Sequence, residues 1–173
     1  MTLSPYRKTT WYHPDLSLGP SPIHGQGLFA TAPIPAGTVV MIWGGEVHIR
    51  EELHAGALPA GEWSFSMIEE GVYLFGPQNG WDYYVNHSCD PTVWMADEVT
   101  LITRRTIQPG EEICGDYAVW ESNPAYRVDP CQCGTPQCRD RFSGEDWQRA
   151  GVQARYRDHF LPYITRRITR LRE

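Results

Sequence analysis

The sequence predicts a mainly β fold with a C-terminal helical arm. Its 173 residues suffice for one domain with its own hydrophobic core. Short segments rich in β-branched and aromatic residues alternate with turn formers, and the chain contains 16 Gly and 14 Pro. This texture is typical of short strands joined by many turns. From about residue 145 onward, apolar side chains recur instead at helical spacing.

The predicted strands begin after a lead-in. Residues 1 to about 20 are rich in Ser, Thr and Pro without periodicity, and we expect them to be poorly ordered. The strands that follow are predicted at 28–30, 38–43, 63–68, 72–75, 94–96 and 99–104. A short helix is predicted at 50–57, ending near Gly56.

The C-terminal arm is predicted to be two helices separated at Pro162, because proline interrupts a helix interior. Ser143 with Asp146 resembles a capping box at its start. We expect the arm to pack one face on the body, and we expect its large apolar residues to be buried. These residues are Trp147, Phe160 and Leu161.

Composition excludes several classes of protein. The longest apolar run covers only residues 39–43, which is too short for a membrane span. The net charge of −6 argues against direct nucleic-acid binding and favours a basic partner. The charge is uneven. Residues 145–173 hold seven Arg and four acids, whereas the rest holds eight basic and seventeen acidic residues, a balance of −9.

The cysteines indicate a metal site. The chain has five, an odd number, and three of them cluster at Cys131, Cys133 and Cys138. Without a recognisable secretion signal, this pattern favours metal ligands in a reducing, intracellular compartment. Zinc binds four tetrahedral ligands, so one more is required. From the residues alone, Cys89, Cys114 and His87 are all candidates, and three free or oxidisable thiols are the alternative.

Three further motifs are each weak alone. The segment at 24–30, HGQGLFA, holds a Gly-x-Gly pair but no third glycine of a dinucleotide fingerprint. The segment at 84–91, YVNHSCDP, is a polar stretch in which His87 and Cys89 form a poor thiol–base pair, because neighbours two apart rarely orient each other. The segment at 109–118, PGEEICGDYA, is consistent with a simple hairpin.

Together and in this order, these motifs resemble the SET-domain family of protein-lysine methyltransferases, over about residues 22–140. The matching segments are His-Gly-Gln-Gly at 24–27, Gly-Glu-Val at 45–47, Asn-His-Ser-Cys at 86–89, Gly-Glu-Glu at 110–112 with Asp-Tyr at 116–117, and the post-SET spacing Cys131-x-Cys133-x4-Cys138.

The resemblance implies a fold of small curved β-sheets with a pseudoknot, of the β-clip type. It implies a lead-in at 1–21, a SET domain at 22–120, a post-SET zinc segment at 121–141 and the helical arm at 142–173. The implied activity is methyl transfer from S-adenosylmethionine to a lysine of a protein substrate, with the lysine entering from the face opposite the cofactor.

The resemblance also assigns roles to residues. Tyr117 is the expected catalytic residue, which orients the lysine amine. Zinc is expected on Cys89, Cys131, Cys133 and Cys138, which leaves Cys114 as a core residue. The expected cofactor-binding residues are His24, Gly25, Gln26, Gly27, Tyr73, Asn86, His87 and Tyr117.

Some positions depart from the family pattern. Tyr83 and Tyr84 stand where Arg-Phe is usual, and Thr92 where Asn is frequent. Gly115 stands where many members carry Phe or Tyr. Losing that ring predicts space for di- or trimethylation, unless Tyr83, Tyr84 or Trp120 fills the vacancy or a backbone bend explains the glycine.

Two other functions compete with the methyltransferase. One is a catalytically silent SET module that binds cofactor or a lysine-bearing peptide. The other is a zinc-stabilised interaction module without cofactor. We expect the partner to be a lysine-containing, basic protein or peptide, such as a histone-like or ribosomal tail, because the body of the chain is acidic. We expect no membrane partner.

Overall fold

The computed structural model describes residues 5–54, 56, 63–77 and 80–173, and it is mainly β as predicted. Its strands are β1 (Trp11–Tyr12), β2 (Leu16–Pro20), β3 (Gln26–Ala30), β4 (Val39–Ile42), β5 (Glu46–Ile49), β6 (Trp63–Glu69), β7 (Val72–Pro77), β8 (Asn86–His87), β9 (Val93–Met95), β10 (Thr100–Thr103), β11 (Glu112–Gly115), β12 (Arg127–Val128) and β13 (Phe142–Ser143).

Helices are short and lie mostly near the C-terminus. The α-helices are α1 (Arg50–His54), α2 (Ala150–Tyr156) and α3 (Pro162–Arg170). Single 3₁₀ turns cover Trp81–Tyr84, Tyr117–Val119, Asp146–Gln148 and Arg157–His159. Helix α1 confirms the start of the helix predicted at 50–57, while Ala55 and Ala57 lie outside the described residues. Within the described ranges, no helix is long and apolar enough to cross a bilayer.

The main sheet has the strand order β1-β4-β10-β9-β11-β3-β2, and β8 pairs in parallel with β11. Its strands at 26–30, 39–42, 93–95 and 100–103 confirm four of the predicted strands to within two residues. A separate three-stranded sheet, with the order β5-β7-β6, contains the other two predicted strands, at 63–68 and 72–75. The prediction of a mainly β fold built from several sheets is therefore confirmed, and the main sheet contains eight strands.

The predicted disorder of the first twenty residues is wrong for two segments. Strand β2 pairs antiparallel with β3 along its whole length, from Leu16 opposite Ala30 to Pro20 opposite Gln26. Strand β1 pairs with β4 at the other edge of the sheet. The Ser- and Pro-rich composition hid these strands because backbone pairing with an existing strand needs little from the side chains.

The C-terminal arm covers the core, as predicted. Trp147, Phe160 and Leu161 are 7%, 3% and 0% exposed. Pro162 is the first residue of α3, where its missing N–H costs nothing, so the arm does divide there into two helices. The predicted capping box does not form. Ser143 Oγ accepts from the Glu145 N–H, whereas the Asp146 carboxylate accepts from Arg139.

We expect Leu161→Ala to lower the free energy of unfolding by about 2–5 kcal/mol, because it removes a fully buried side chain from the contact between arm and body. Leu171→Ala, at a side chain that is 58% exposed, is the matched control and should change it by less than about 0.5 kcal/mol. Urea denaturation followed by circular dichroism measures both. Equal effects would mean that the arm does not hold the fold together.

Candidate functional site

Two of the sequence motifs lie side by side at the centre of the main sheet. Strands β8 and β11 pair in parallel, with Asn86 opposite Cys114 and His87 opposite Gly115. The chain then enters the 3₁₀ turn that begins at Tyr117, whose backbone N–H donates to His87 Nδ1 at 3.2 Å. The parallel pairing therefore brings together residues that are about thirty positions apart in the sequence.

The Gly-x-Gly loop is tied to the same centre through Asn86. Its side-chain amide donates to the backbone carbonyls of His24 at 3.1 Å and Gln26 at 2.9 Å, and to the Glu112 carboxylate at 2.8 Å. Ser21 Oγ also bonds to this carboxylate at 2.9 Å and accepts from the Ile23 N–H. The amide of Asn86 thus holds the loop in place.

The two glycines of this loop have different roles. A Cβ at Gly27 would lie 2.3 Å from Glu112 Oε1, so this glycine allows the carboxylate to approach the strand. Gly25 has a φ of +51°, and a Cβ there would meet no atom within 4 Å. Open space therefore adjoins the backbone at Gly25, where a ligand could come close to it.

His87 is buried and neutral. Burial lowers its pKa to about 4, although the Asp116 carboxylate opposes this shift. Because Nδ1 accepts from the Tyr117 N–H, the ring proton is on Nε2, which lies 3.5 Å from Cys89 Sγ. The His87 ring is therefore used for internal bonds, and its side chain is only 2% exposed.

Tyr117 lies in an aromatic environment. Its hydroxyl donates to the Val85 carbonyl at 2.9 Å, and its ring contacts those of His87, Trp120, Tyr126 and Phe142. Burial raises the pKa of this phenol above its ordinary value. The hydroxyl is thus neutral at physiological pH, and it keeps acceptor lone pairs while it donates to Val85.

Asp116, the residue before Tyr117, accepts several hydrogen bonds. Its fully buried carboxylate accepts two bonds from the Arg139 guanidinium, at 2.6 and 2.8 Å, and one from the Tyr156 hydroxyl at 2.8 Å. Burial alone would raise the pKa of Asp116, but the bonds from Arg139 hold it below its usual value. Arg139 also donates to Asp146 at 3.0 Å.

Four of the five cysteines converge, as predicted. The sulfurs of Cys89, Cys131, Cys133 and Cys138 all lie within 4.8 Å of one another. Cys114 is instead buried in β11, with its sulfur 3.8 Å from Thr92 Oγ1. The Arg139 N–H donates to Cys89 Sγ at 3.3 Å, which joins the cysteine cluster to the Asp116 network.

The structure argues against His87 and Cys89 as a nucleophile and its base. The two side chains are in contact, but Cys89 is 0% exposed and burial raises the pKa of its thiol to about 11. A protonated, inaccessible thiol cannot attack a substrate.

A cavity of about 850 Å³ opens beside Tyr117. Strands β6 and β7, the 3₁₀ turn at Trp81–Tyr84 and the segment after Tyr117 provide its walls. Tyr73 and Tyr117 are the predicted site residues that line it. Among the described lining residues, none comes from the 24–27 loop or from Asn86 and His87. The predicted site residues therefore form two groups. One group is the 24–27 loop with Asn86 and His87, and the other is Tyr73 in the cavity wall. Tyr117 lines the cavity and also bonds to His87.

The expected vacancy beside Gly115 is filled. A Cβ at Gly115 would lie 2.0 Å from Trp120 Cη2, so the indole ring rests directly on this glycine. Trp120 also lines the cavity. The prediction of open space at this position is wrong, and of the three residues named as possible fillers, Trp120 supplies the ring.

Sequence reasoning missed the residues that support the site. Glu112, Ser21 and Arg139 touch no expected ligand, but they hold the loop and the cysteine segment in position. Glu112 lies within the recognised motif at 110–117, although no role was assigned to it, and Arg139 follows the recognised cysteines at 131–138. Their partners, however, are distant in the sequence, and no local pattern identifies them.

The SET domain family model matches residues 25–118. A rice protein named histone-lysine N-methyltransferase TRX1 is 31% identical over 138 residues, which cover 72% of this chain and 13% of that protein. A histone-lysine N-methyltransferase of Cryptococcus neoformans, described as H3 lysine-4 specific, is 32% identical over 133 residues, or 69% and 9% of the two chains.

Among solved structures, the methyltransferase domain of human histone-lysine N-methyltransferase SETMAR matches with a TM-score of 0.56 at 21% identity, covering 75% of this chain and 57% of that one. This likeness supports the predicted fold. The chain spans less than one seventh of the length of the curated relatives described above.

We expect Asp116→Asn to lower the free energy of unfolding by about 1.5–3 kcal/mol, because it removes the fully buried carboxylate that accepts two bonds from Arg139 and leaves Asp146 as the remaining charged partner of that guanidinium. Asp90→Asn is the matched control. Asp90 also pairs with an arginine at 2.6 Å, but its side chain is 41% exposed, so the loss should be below about 1 kcal/mol. Chemical denaturation compares the two, and similar losses would refute the central role of Asp116.

Proposed function

The chain belongs to the SET-domain family, and from this premise we propose that it transfers a methyl group from S-adenosylmethionine to the side-chain amine of a lysine in a protein substrate. The position of Tyr117 carries the proposal. Tyr117 lines the cavity, while its backbone N–H bonds to His87, next to the loop that Asn86 holds. One residue thus adjoins both a candidate substrate side and a candidate cofactor side.

On the cofactor side, the backbone of His24, Gly25, Gln26 and Gly27 is proposed to bind S-adenosylmethionine, together with the backbone at Asn86 and His87. Open space at Gly25 and the neutral polar groups of this loop fit such a ligand. Tyr73 and Tyr117 are proposed to meet it from the cavity side. When bound, S-adenosylmethionine supplies a methyl group on a sulfonium sulfur that departs as a neutral thioether.

On the substrate side, the cavity is proposed to take the lysine side chain. The rings of Trp43, Tyr117 and Trp120 line part of this cavity, and apolar surroundings disfavour the ammonium form of a lysine and so lower its pKa from about 10.4. Tyr117 cannot remove the proton, because its own pKa is raised by burial. Its hydroxyl, fixed by the bond to Val85, instead orients the free amine, and alignment is the main requirement of a displacement reaction.

We propose a basic, lysine-bearing protein segment as the substrate, which agrees with the names of the histone-lysine methyltransferase relatives. Two carboxylates, Asp82 and Glu121, line the cavity together with Arg50 and Arg167, of which Arg167 is already paired with Glu70. An acidic body of net charge −9 outside the arm favours such a partner. An intracellular location fits the histone-directed relatives and the free state of the cysteines.

The cysteine cluster is proposed to bind one zinc ion through Cys89, Cys131, Cys133 and Cys138. A Zn–S distance of about 2.3 Å separates neighbouring sulfurs by about 3.8 Å, and the Cys89 and Cys131 sulfurs lie 4.0 Å apart. The ion would neutralise the thiolates and fasten the segment at 121–141 to the domain proposed at 22–120. The lead-in at 1–21 and the helical arm at 142–173 are the other two parts of the proposed domain organisation.

We expect Tyr117→Phe to reduce methyl transfer from labelled cofactor to a lysine-rich protein about 100-fold, because the amine loses its orienting hydroxyl. Tyr6→Phe, at a hydroxyl that bonds to Glu98 away from the cavity, should keep full activity. Cofactor binding by calorimetry should persist in both variants. A wild-type protein that binds cofactor but transfers no methyl group would instead be a silent SET module.

We expect about one zinc per chain in protein purified under reducing conditions, measured by plasma mass spectrometry. Cys131→Ser should lose the metal and unfold at lower temperature. Cys114→Ser, at the cysteine outside the cluster, should keep it. Wild-type protein without zinc would exclude the proposed metal site.

A further inference from the structure

We propose that Trp120 is the side chain that limits how many methyl groups the target lysine receives, and that Gly115 is glycine in order to admit its ring. This inference rests on the proposed methyl transfer, and it concerns two positions that no sequence motif connects. The width of the proposed lysine channel is then set by Trp120, which follows Tyr117 in the sequence, and not by the residue at position 115, which precedes it.

Position 115 has no room for a side chain, because the Trp120 ring occupies that space. A Cβ at this position would lie 2.0, 2.7 and 3.0 Å from Trp120 Cη2, Cζ3 and Cζ2, so the six-membered ring occupies the volume that any side chain would take. The φ of Gly115 is outside the left-handed region, so other residues could adopt its backbone conformation. A bend in the backbone therefore does not explain this glycine.

The backbone of Gly115 cannot move aside to relieve the contact. Gly115 pairs with His87 on one side and Val93 on the other, and its carbonyl accepts from the Ser88 N–H at 2.8 Å. It is buried at the centre of the main sheet. The ring and the glycine therefore form a fitted pair, in which a larger residue at either position requires a smaller one at the other.

Trp120 is itself held in one orientation. Its ring packs edge-on against Trp43, with centroids 5.8 Å apart and planes at 84°, and it contacts the Tyr117 ring at 5.6 Å. Its backbone N–H donates to the Tyr117 carbonyl, and its own carbonyl accepts from the Tyr163 hydroxyl of the arm. A ring fixed in this way acts as a rigid wall.

This wall stands in the proposed substrate site. Trp43, Tyr117 and Trp120 line the same cavity, and the Trp120 ring is in contact with the ring whose hydroxyl orients the amine. Each added methyl group enlarges the end of the lysine side chain, so a fixed ring at this point opposes the second and third transfers. The filled space leads us to expect monomethyllysine as the main product of the wild-type protein.

The test uses a synthetic arginine-rich peptide that carries one lysine, with mass spectrometry of the product after long incubation. Wild type should stop at one methyl group, whereas Trp120→Ala and the milder Trp120→Phe should shift the product toward di- and trimethyllysine by at least about ten-fold, in the range that one methyl group can discriminate in an apolar pocket. Trp94→Phe, at a half-buried ring that stacks on His159 outside the cavity lining, is the control and should leave the product distribution unchanged.

A double substitution tests the fitted pair directly. Gly115→Phe alone should destabilise the protein through the clash with Trp120, whereas Gly115→Phe combined with Trp120→Ala should fold and return the product to monomethyllysine. Trimethyllysine from the wild type, or an unchanged product in both Trp120 variants, would overturn the inference.

Failure of the proposed function gives a different result. If wild type transfers no methyl group, methyl transfer is refuted. The role of Trp120 is then tested by calorimetry, which compares the affinities of wild type and Trp120→Ala for the unmethylated and trimethylated peptides. A ten-fold rise in the relative affinity for the trimethylated peptide in Trp120→Ala supports the wall. An unchanged ratio, or no binding of either peptide by either protein, overturns it.

Discussion

The buried carboxylate of Asp116 joins three parts of the chain that are far apart in the sequence. It accepts two hydrogen bonds from Arg139, which follows the last cysteine of the cluster, and one from Tyr156 in the C-terminal arm. Its own position lies between strand β11 and Tyr117. Because a buried charge without a partner is strongly destabilising, these segments are held to one arrangement or the site is lost.

Neighbouring contacts extend this constraint to the other elements of the site. Arg139 donates to Cys89 through its backbone, and Arg155 of the arm donates to the Cys89 carbonyl at 2.6 Å. His87, buried between Cys89 and Tyr117, is neutral and bonds to the backbone of Tyr117. The cysteine cluster and the arm therefore help to fix the position of Tyr117, and the arm also contributes Arg167 to the cavity wall.

The rest of the site has a polar side, at the 24–27 loop, and an aromatic side, at the cavity. The loop at 24–27 is held by Asn86, Glu112 and Ser21 through hydrogen bonds, which suits a polar ligand. On the other side of Tyr117, the rings of Trp43 and Trp120 line the part of the cavity next to its own ring, which suits an uncharged amine. The contact of Trp120 with Gly115 connects the two, because Gly115 belongs to the strand that carries Glu112.

The order and spacing of short motifs were enough to predict the mainly β fold, the family, the convergence of Cys89 with the three clustered cysteines, and the buried residues of the arm. Such features depend on local residue types or on a resemblance read in chain order. Strands β1 and β2 could not be predicted, because their stability comes from pairing with β4 and β3 and not from their own composition.

Only the tertiary structure decided what fills the space beside Gly115, which partners hold Asp116, and why Gly27 is glycine. Each answer is a contact between side chains or backbone segments that are close in space, and most of them are far apart in the sequence. Gly115 illustrates the difference. In the sequence a missing side chain predicts empty space, whereas in the folded protein a turn brings Trp120 back over the strand, since close packing leaves no void of that size at the centre of a core.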